Sequence, residues 1–79
     1  MSELYVRHAR LDGRSVAALR AVDHGDRCLV EAQVWPKGSP DAAPVEHGPY
    51  AFSSAAEATR FVTQAVEALI ALGCDVRAS

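Results

Sequence analysis

Ser54–Gly73, SAAEATRFVTQAVEALIALG, spells one amphipathic helix, and the rest of the chain has to be arranged around it. Ser54 is the N-cap, and Glu57 three residues later completes a capping box. Glu57 also suits the positive end of the helix dipole. Ala58, Phe61, Val62, Ala65, Val66, Leu69 and Leu72 recur at helical spacing. Glu57, Arg60, Gln64, Glu67 and Ala71 fill the opposite stripe, so one side of the helix needs a cover. Gly73 fits a left-handed C′ position that stops the helix, with Cys74 after it packing near Leu69. The spacing predicts a helix over 55–72, about 27 Å long.

Upstream of the helix the periodicity changes from helical to alternating, which means strands. Residues 3–11 and 14–22 flank Asp12-Gly13, a pair suited to a type I′ hairpin, whose two central residues both need positive φ. A two-residue loop puts Leu11 opposite Arg14, Ala9 opposite Val16, Arg7 opposite Ala18 and Tyr5 opposite Arg20. A second turn centred on His24-Gly25 leads into a strand over 27–35. It pairs Ala21 with Cys28, Leu19 with Val30 and Ala17 with Ala32. One face then collects Leu4, Val6, Ala17, Leu19, Ala21, Cys28, Val30, Ala32 and Val34, all uncharged and apolar. That is the face expected under the helix.

Residues 36–49 carry prolines at 36, 40, 44 and 49 and read as a loop. Residues 50–52 are expected to form a short fourth strand, with Pro49 keeping it at an edge or at a strand start. Val45-Glu46-His47 is short enough only to pair briefly at an edge. The expected fold is α+β, a single domain over 1–79. A three- to four-stranded antiparallel meander carries one C-terminal helix across one face.

The other sheet face is the more informative one. The same register gives it Tyr5, Arg7, Arg14, Arg20, Leu29 and Trp35 among its residues. A fully solvated face would be more polar, and a fully buried one would lack the arginines. Arginine, leucine and aromatic side chains together are the composition of interface cores. Width adds to this. Three to four strands span about 15–19 Å and one helix covers about 10–12 Å of it, so something else has to cover the remainder. These six residues are the candidate interaction face.

Most catalytic and binding chemistries find no pattern here. His8, His24, His47, Cys28 and Cys74 are the soft ligands, and no pair has zinc spacing. Cys28 lies on the apolar face, where burial leaves a thiol inert, and Cys74 follows a helix C-terminus, which disfavours a thiolate. Asp12, Asp23 and Asp26 are turn residues. No glycine-rich loop joins a strand to the helix, so no phosphate site is expected. Neither a catalytic centre nor a metal or other cofactor is expected.

The chain has 79 residues and a net charge of −2. Residues 1–40 hold six Lys/Arg against five Asp/Glu, and residues 41–79 hold two against five. That balance is not the footprint of a duplex nucleic-acid binder. No apolar run nears the roughly 18 residues of a membrane span, no secretory segment follows Met1, and two cysteines suit a reducing compartment. A cytoplasmic protein without membrane contact is therefore expected. At this length folding buries only about 60–65% of the chain's surface, and small domains of this kind often lean on oligomers. The reading is a non-enzymatic module for self-association or protein interaction, with a homodimer or another protein as partner. The alternative is single-stranded nucleic-acid binding, because arginine and aromatics on an open sheet can stack bases. Strands followed by one helix is also the element order of PUR-type single-strand binders; the chain resembles them in order alone, without a shared motif. A third reading is a small-molecule sensor with its pocket under the proline-rich loop.

Overall fold

The computed structural model describes residues 2–36 and 43–78. The chain runs β1 (Ser2–Leu11), β2 (Arg14–Asp23), β3 (Cys28–Val34), β4 (Val45–Phe52), α1 (Ala55–Ala71) and β5 (Asp75–Arg77). The strands form one antiparallel sheet in the order β4-β3-β2-β1-β5, and α1 touches all five. The class is α+β, as the sequence leads one to expect, but the sheet has five strands rather than three or four.

One extra piece of sheet comes from the segment read as a loop, the other from the residues after the helix stop. β4 begins at Val45, inside the predicted 36–49 loop, and the part of that loop at 37–42 lies outside the described residues. Gly48, at φ +90°, lets an edge strand absorb Pro49 at a break in the ladder between Val30 and Ala32. β5 follows the helix stop. Gly73 at φ +94° turns the chain, its N–H donates to the Ile70 carbonyl at 2.9 Å, and the Cys74 N–H donates to the Leu69 carbonyl at 3.0 Å. This is a Schellman closure, and it aims Asp75–Arg77 alongside His8–Arg10.

The helix start departs from the expected capping box in one respect. Ser54 Oγ accepts from the Glu57 N–H at 3.2 Å. Glu57 Oε2 reaches back not to Ser54 but to the N–H and hydroxyl of Ser53, at 3.3 and 3.0 Å.

Two registers differ from the sequence reading, with unequal consequences. The β2–β3 connection is four residues, 24–27, not a two-residue turn. The Asp23 side chain accepts from the Gly25 N–H at 2.8 Å and the His24 N–H donates to the Arg27 carbonyl at 2.9 Å. The pairing moves by two residues, Ala21 to Val30 and Leu19 to Ala32, which preserves every side chain's face. The β1–β2 register moves by one. Leu11 faces Arg14 and Arg10 faces Ser15, as the hairpin requires, but Ala9 then faces Ala17, leaving Val16 as a bulge. A second irregularity at Leu4 restores the original count at Glu3–Val22. Between the bulges β1 is turned over relative to expectation.

The core under the helix holds Leu19, Ala21, Cys28, Val30, Ala58 and Val62, with Leu4, Tyr5, Phe52, Phe61, Val66 and Leu69 packed around it and half-buried. A second cluster of Ala9, Ala17 and Cys74 sits under the helix C-terminus. Val30 is the largest side chain wholly removed from solvent. The predicted apolar face survives in β2 and β3, while in β1 Leu4 keeps its place in the core and Tyr5, Arg7 and Ala9 take the face instead of Val6.

Candidate interaction surface

The bulge at Val16 divides the six residues expected to share one face. Arg20, Leu29 and Trp35 lie on the side away from the helix. Tyr5 and Arg7 pair with Ala21 and Leu19, and so share the helix side. Arg14, opposite Leu11, falls on the helix side as well, exposed at the hairpin tip. The physical reason is the period of two: one unpaired residue in β2 turns over Arg14 and Ser15 on its hairpin side and, with them, the β1 side chains as far as the second irregularity at Leu4.

Tyr5 is a half-buried support for the helix. Its hydroxyl accepts from Thr59 Oγ1 at 3.1 Å. The Arg7 guanidinium lies 5.3 Å from the centre of the Tyr5 ring, and its Nη1 donates to the Val6 carbonyl at 2.9 Å. This is a cation–π contact on the flank of α1.

The outer face has no layer over it among the described residues. Trp35 sits on it with its ring stacked on His8, centroids 5.8 Å apart and planes at 21°. The Trp35 N–H donates to the Val16 carbonyl at 2.9 Å, so the bulge also anchors the tryptophan. His8 Nε2 and Ser15 Oγ are 2.9 Å apart. Val6, Ala18, Val22 and Leu29 form the apolar middle, with Val22 buried. Arg20 Nε is 3.0 Å from Glu3 Oε2 with both side chains about half exposed, a pair worth little stability. A groove of about 390 Å³ runs between this apolar floor and β4, lined by Val6, Ala18, Arg20, Glu31, Gln33, Glu46 and Pro49 among others.

One row of the register crosses the whole face: Glu46 opposite Gln33, Gln33 opposite Ala18, Ala18 opposite His8, and His8 opposite Arg77. Its ends carry opposite charges. Glu31 and Glu46, on the β3–β4 half, are in no ion pair among the described residues, while the β1–β5 half holds Arg10 and Arg77 with Asp75, which lies 3.0 Å from Arg77, and Glu3, which pairs with Arg20.

A surface the sequence reading missed lies on the helix side of the β4 edge. Val34 faces Val45 there, and Tyr50 packs at 5.5 Å against the Phe61 ring. Val45 is 51% and Tyr50 42% exposed. Leu72, 72% exposed, continues the helix ridge of Phe61 and Ala65 at helical spacing. The alternation of Val45-Glu46-His47 was the available signal, and it is outweighed in the sequence by the four prolines around it.

Titratable chemistry is sparse. Burial, and behind it the Asp23 carboxylate, pushes the Cys28 thiol above its ordinary range, away from the thiolate. Cys28 and Cys74 are both reduced and lie in separate clusters. Among the described residues no three His, Cys, Asp or Glu side chains come together as metal ligands, and no helix is long and apolar enough to cross a membrane. No protein-family model, curated protein or solved structure matches the chain.

Proposed function

We propose that this chain is a non-enzymatic self-association module, and that its outer sheet face packs against a second copy. The observation that carries this is a five-stranded sheet with one helix on one side and, among the described residues, no layer on the other. Five strands span about 24 Å, about twice what one helix covers. The side under the helix is thin as well, since Val30 is its largest fully buried side chain and both phenylalanines are only half-buried. A second copy stacked on the bare face would cover Trp35, Leu29, Val6 and Ala18 and complete a sandwich of layers.

Nucleic-acid binding finds less support than the sequence alone offers it. With Tyr5 and Arg7 on the helix side, the outer face keeps Trp35 as its one aromatic other than His8, and the groove beside it is lined by Glu31 and Glu46. Base stacking wants several aromatics in a basic channel.

Sedimentation velocity from about 1 to 500 µM tests the proposal. The expected result is a concentration-dependent shift toward twice the 8.4 kDa monomer mass. A single monomeric species across that range would overturn it.

A further inference from the structure

We infer that the second copy is related to the first by a two-fold axis running along β2 in the plane between the two sheets. In this arrangement Glu46 of each copy faces Arg77 of the other. The inference rests on the self-association reading and specifies its geometry.

Two sheets of one sequence stacked face to face by a two-fold must share an axis parallel to the sheets, and the contact is self-complementary. β2 is the middle strand of five. An axis along it lays β3 over β1 of the second copy and β4 over β5, so the bare faces overlap across their full width. An axis across the strands would instead lay β4 over β4. The charges separate these options. The Glu46–Gln33–Ala18–His8–Arg77 row is acidic at its β4 end and basic at its β5 end. The axis along β2 brings each Glu46 over an Arg77, twice per dimer. The crossed axis brings Glu46 over Glu46, and like charges at an interface are strongly disfavoured.

The next row adds a second contact. Arg10 and Trp35 lie at one level on opposite sides of β2, since Arg10 pairs with Ser15 and the Trp35 N–H bonds the neighbouring Val16 carbonyl. The same axis places Arg10 over the Trp35 indole of the second copy, a cation–π arrangement. Ala18 lies close to the axis, and the stacked Trp35 and His8 rings reach over β2 beside it, so they meet the second copy at the centre of the contact, at the ordinary sheet spacing of about 10 Å. Arginine and glutamate side chains together bridge that gap at the edges. The intramolecular pair of Arg77 with Asp75 has both side chains mostly exposed, 79% and 64%, so it competes weakly with a new partner. The footprint, about 24 Å by the 23 Å of a seven-residue strand and shorter at the three-residue β5, is about 500 Å² in plan, the size of a weak, reversible contact.

The test uses two charge reversals at exposed positions, Glu46→Arg and Arg77→Glu, in the full chain. Each variant alone sets two like-charge pairs at its own interface, and its dimer dissociation constant is expected to rise roughly tenfold or more. An equimolar mixture of the two restores opposite charges at both contacts. The expected result is a heterodimer with close to the wild-type constant, which also proves that each variant is folded. Three outcomes separate the claims. A monomeric wild type would sink self-association itself. A dimeric wild type whose constant changes less than twofold on either reversal would overturn the geometry and leave self-association standing. Weakened variants that fail to pair on mixing would overturn the geometry too.

Discussion

At Gly48 the backbone leaves no choice of residue. Its φ is +90°, and a Cβ there would lie 2.9 Å from both the Val30 carbonyl oxygen and the Tyr50 nitrogen. Neither is the movable end of a side chain. Gly13, at φ +78°, has nothing within 4 Å of such a Cβ. The two glycines thus separate strain from collision. Gly13→Ala should cost only the left-handed penalty, about 1 kcal/mol. Gly48→Ala should cost that plus displacement of the β3–β4 ladder, at least about 3 kcal/mol. Urea unfolding midpoints check the order, and equal costs would mean that β4 is not held at Gly48. Val16 is the other decisive residue. It carries no charge and no special φ, yet leaving it unpaired exchanges Tyr5 and Arg7 for Val6 and His8 on the outer face. Nothing in its identity announces a bulge, because valine suits a regular strand equally well.

Among the elements, the helix was the most legible, because its signals are local. Ser54, Glu57 and Gly73 mark its ends within one turn, and the structure uses all three. Removing the cap with Ser54→Ala should cost about 1 kcal/mol and lower the melting temperature by about 4–8 °C, measured by circular dichroism. An unchanged melting curve would mean that Ser53 and Glu57 hold the helix start without it. The first hairpin was legible for the same reason, since Asp12-Gly13 fixes its own turn with both residues at positive φ. The second register was two residues out, yet every side chain kept its face, because the period of two forgives even shifts. The odd shift at Val16 was not forgiven, and it took Tyr5, Arg7 and Arg14 away from the candidate face while Arg20, Leu29 and Trp35 stayed on it. β4 and β5 are held by partners distant in sequence, and proline content or brevity hid them.

At the scale of the whole molecule, one layer of helix and one of sheet leave one sheet face without a layer among the described residues. On the bare side one row of the register carries opposite charges at its two ends, Glu46 on β4 and Arg77 on β5. A second copy answers both features. The competing surface is the apolar edge of Val34, Val45, Tyr50 and Leu72 on the helix side, which would make a dimer of another kind. An isotope-filtered NOE experiment distinguishes them in one spectrum, using equal parts of labelled and unlabelled chain at a concentration where the dimer predominates. The expected result is cross-chain contacts from the Trp35 indole to Arg10 and from the Ala18 methyl across the two-fold axis. Cross-chain contacts from Tyr50, Val45 and Leu72, with none from Trp35, would contradict it.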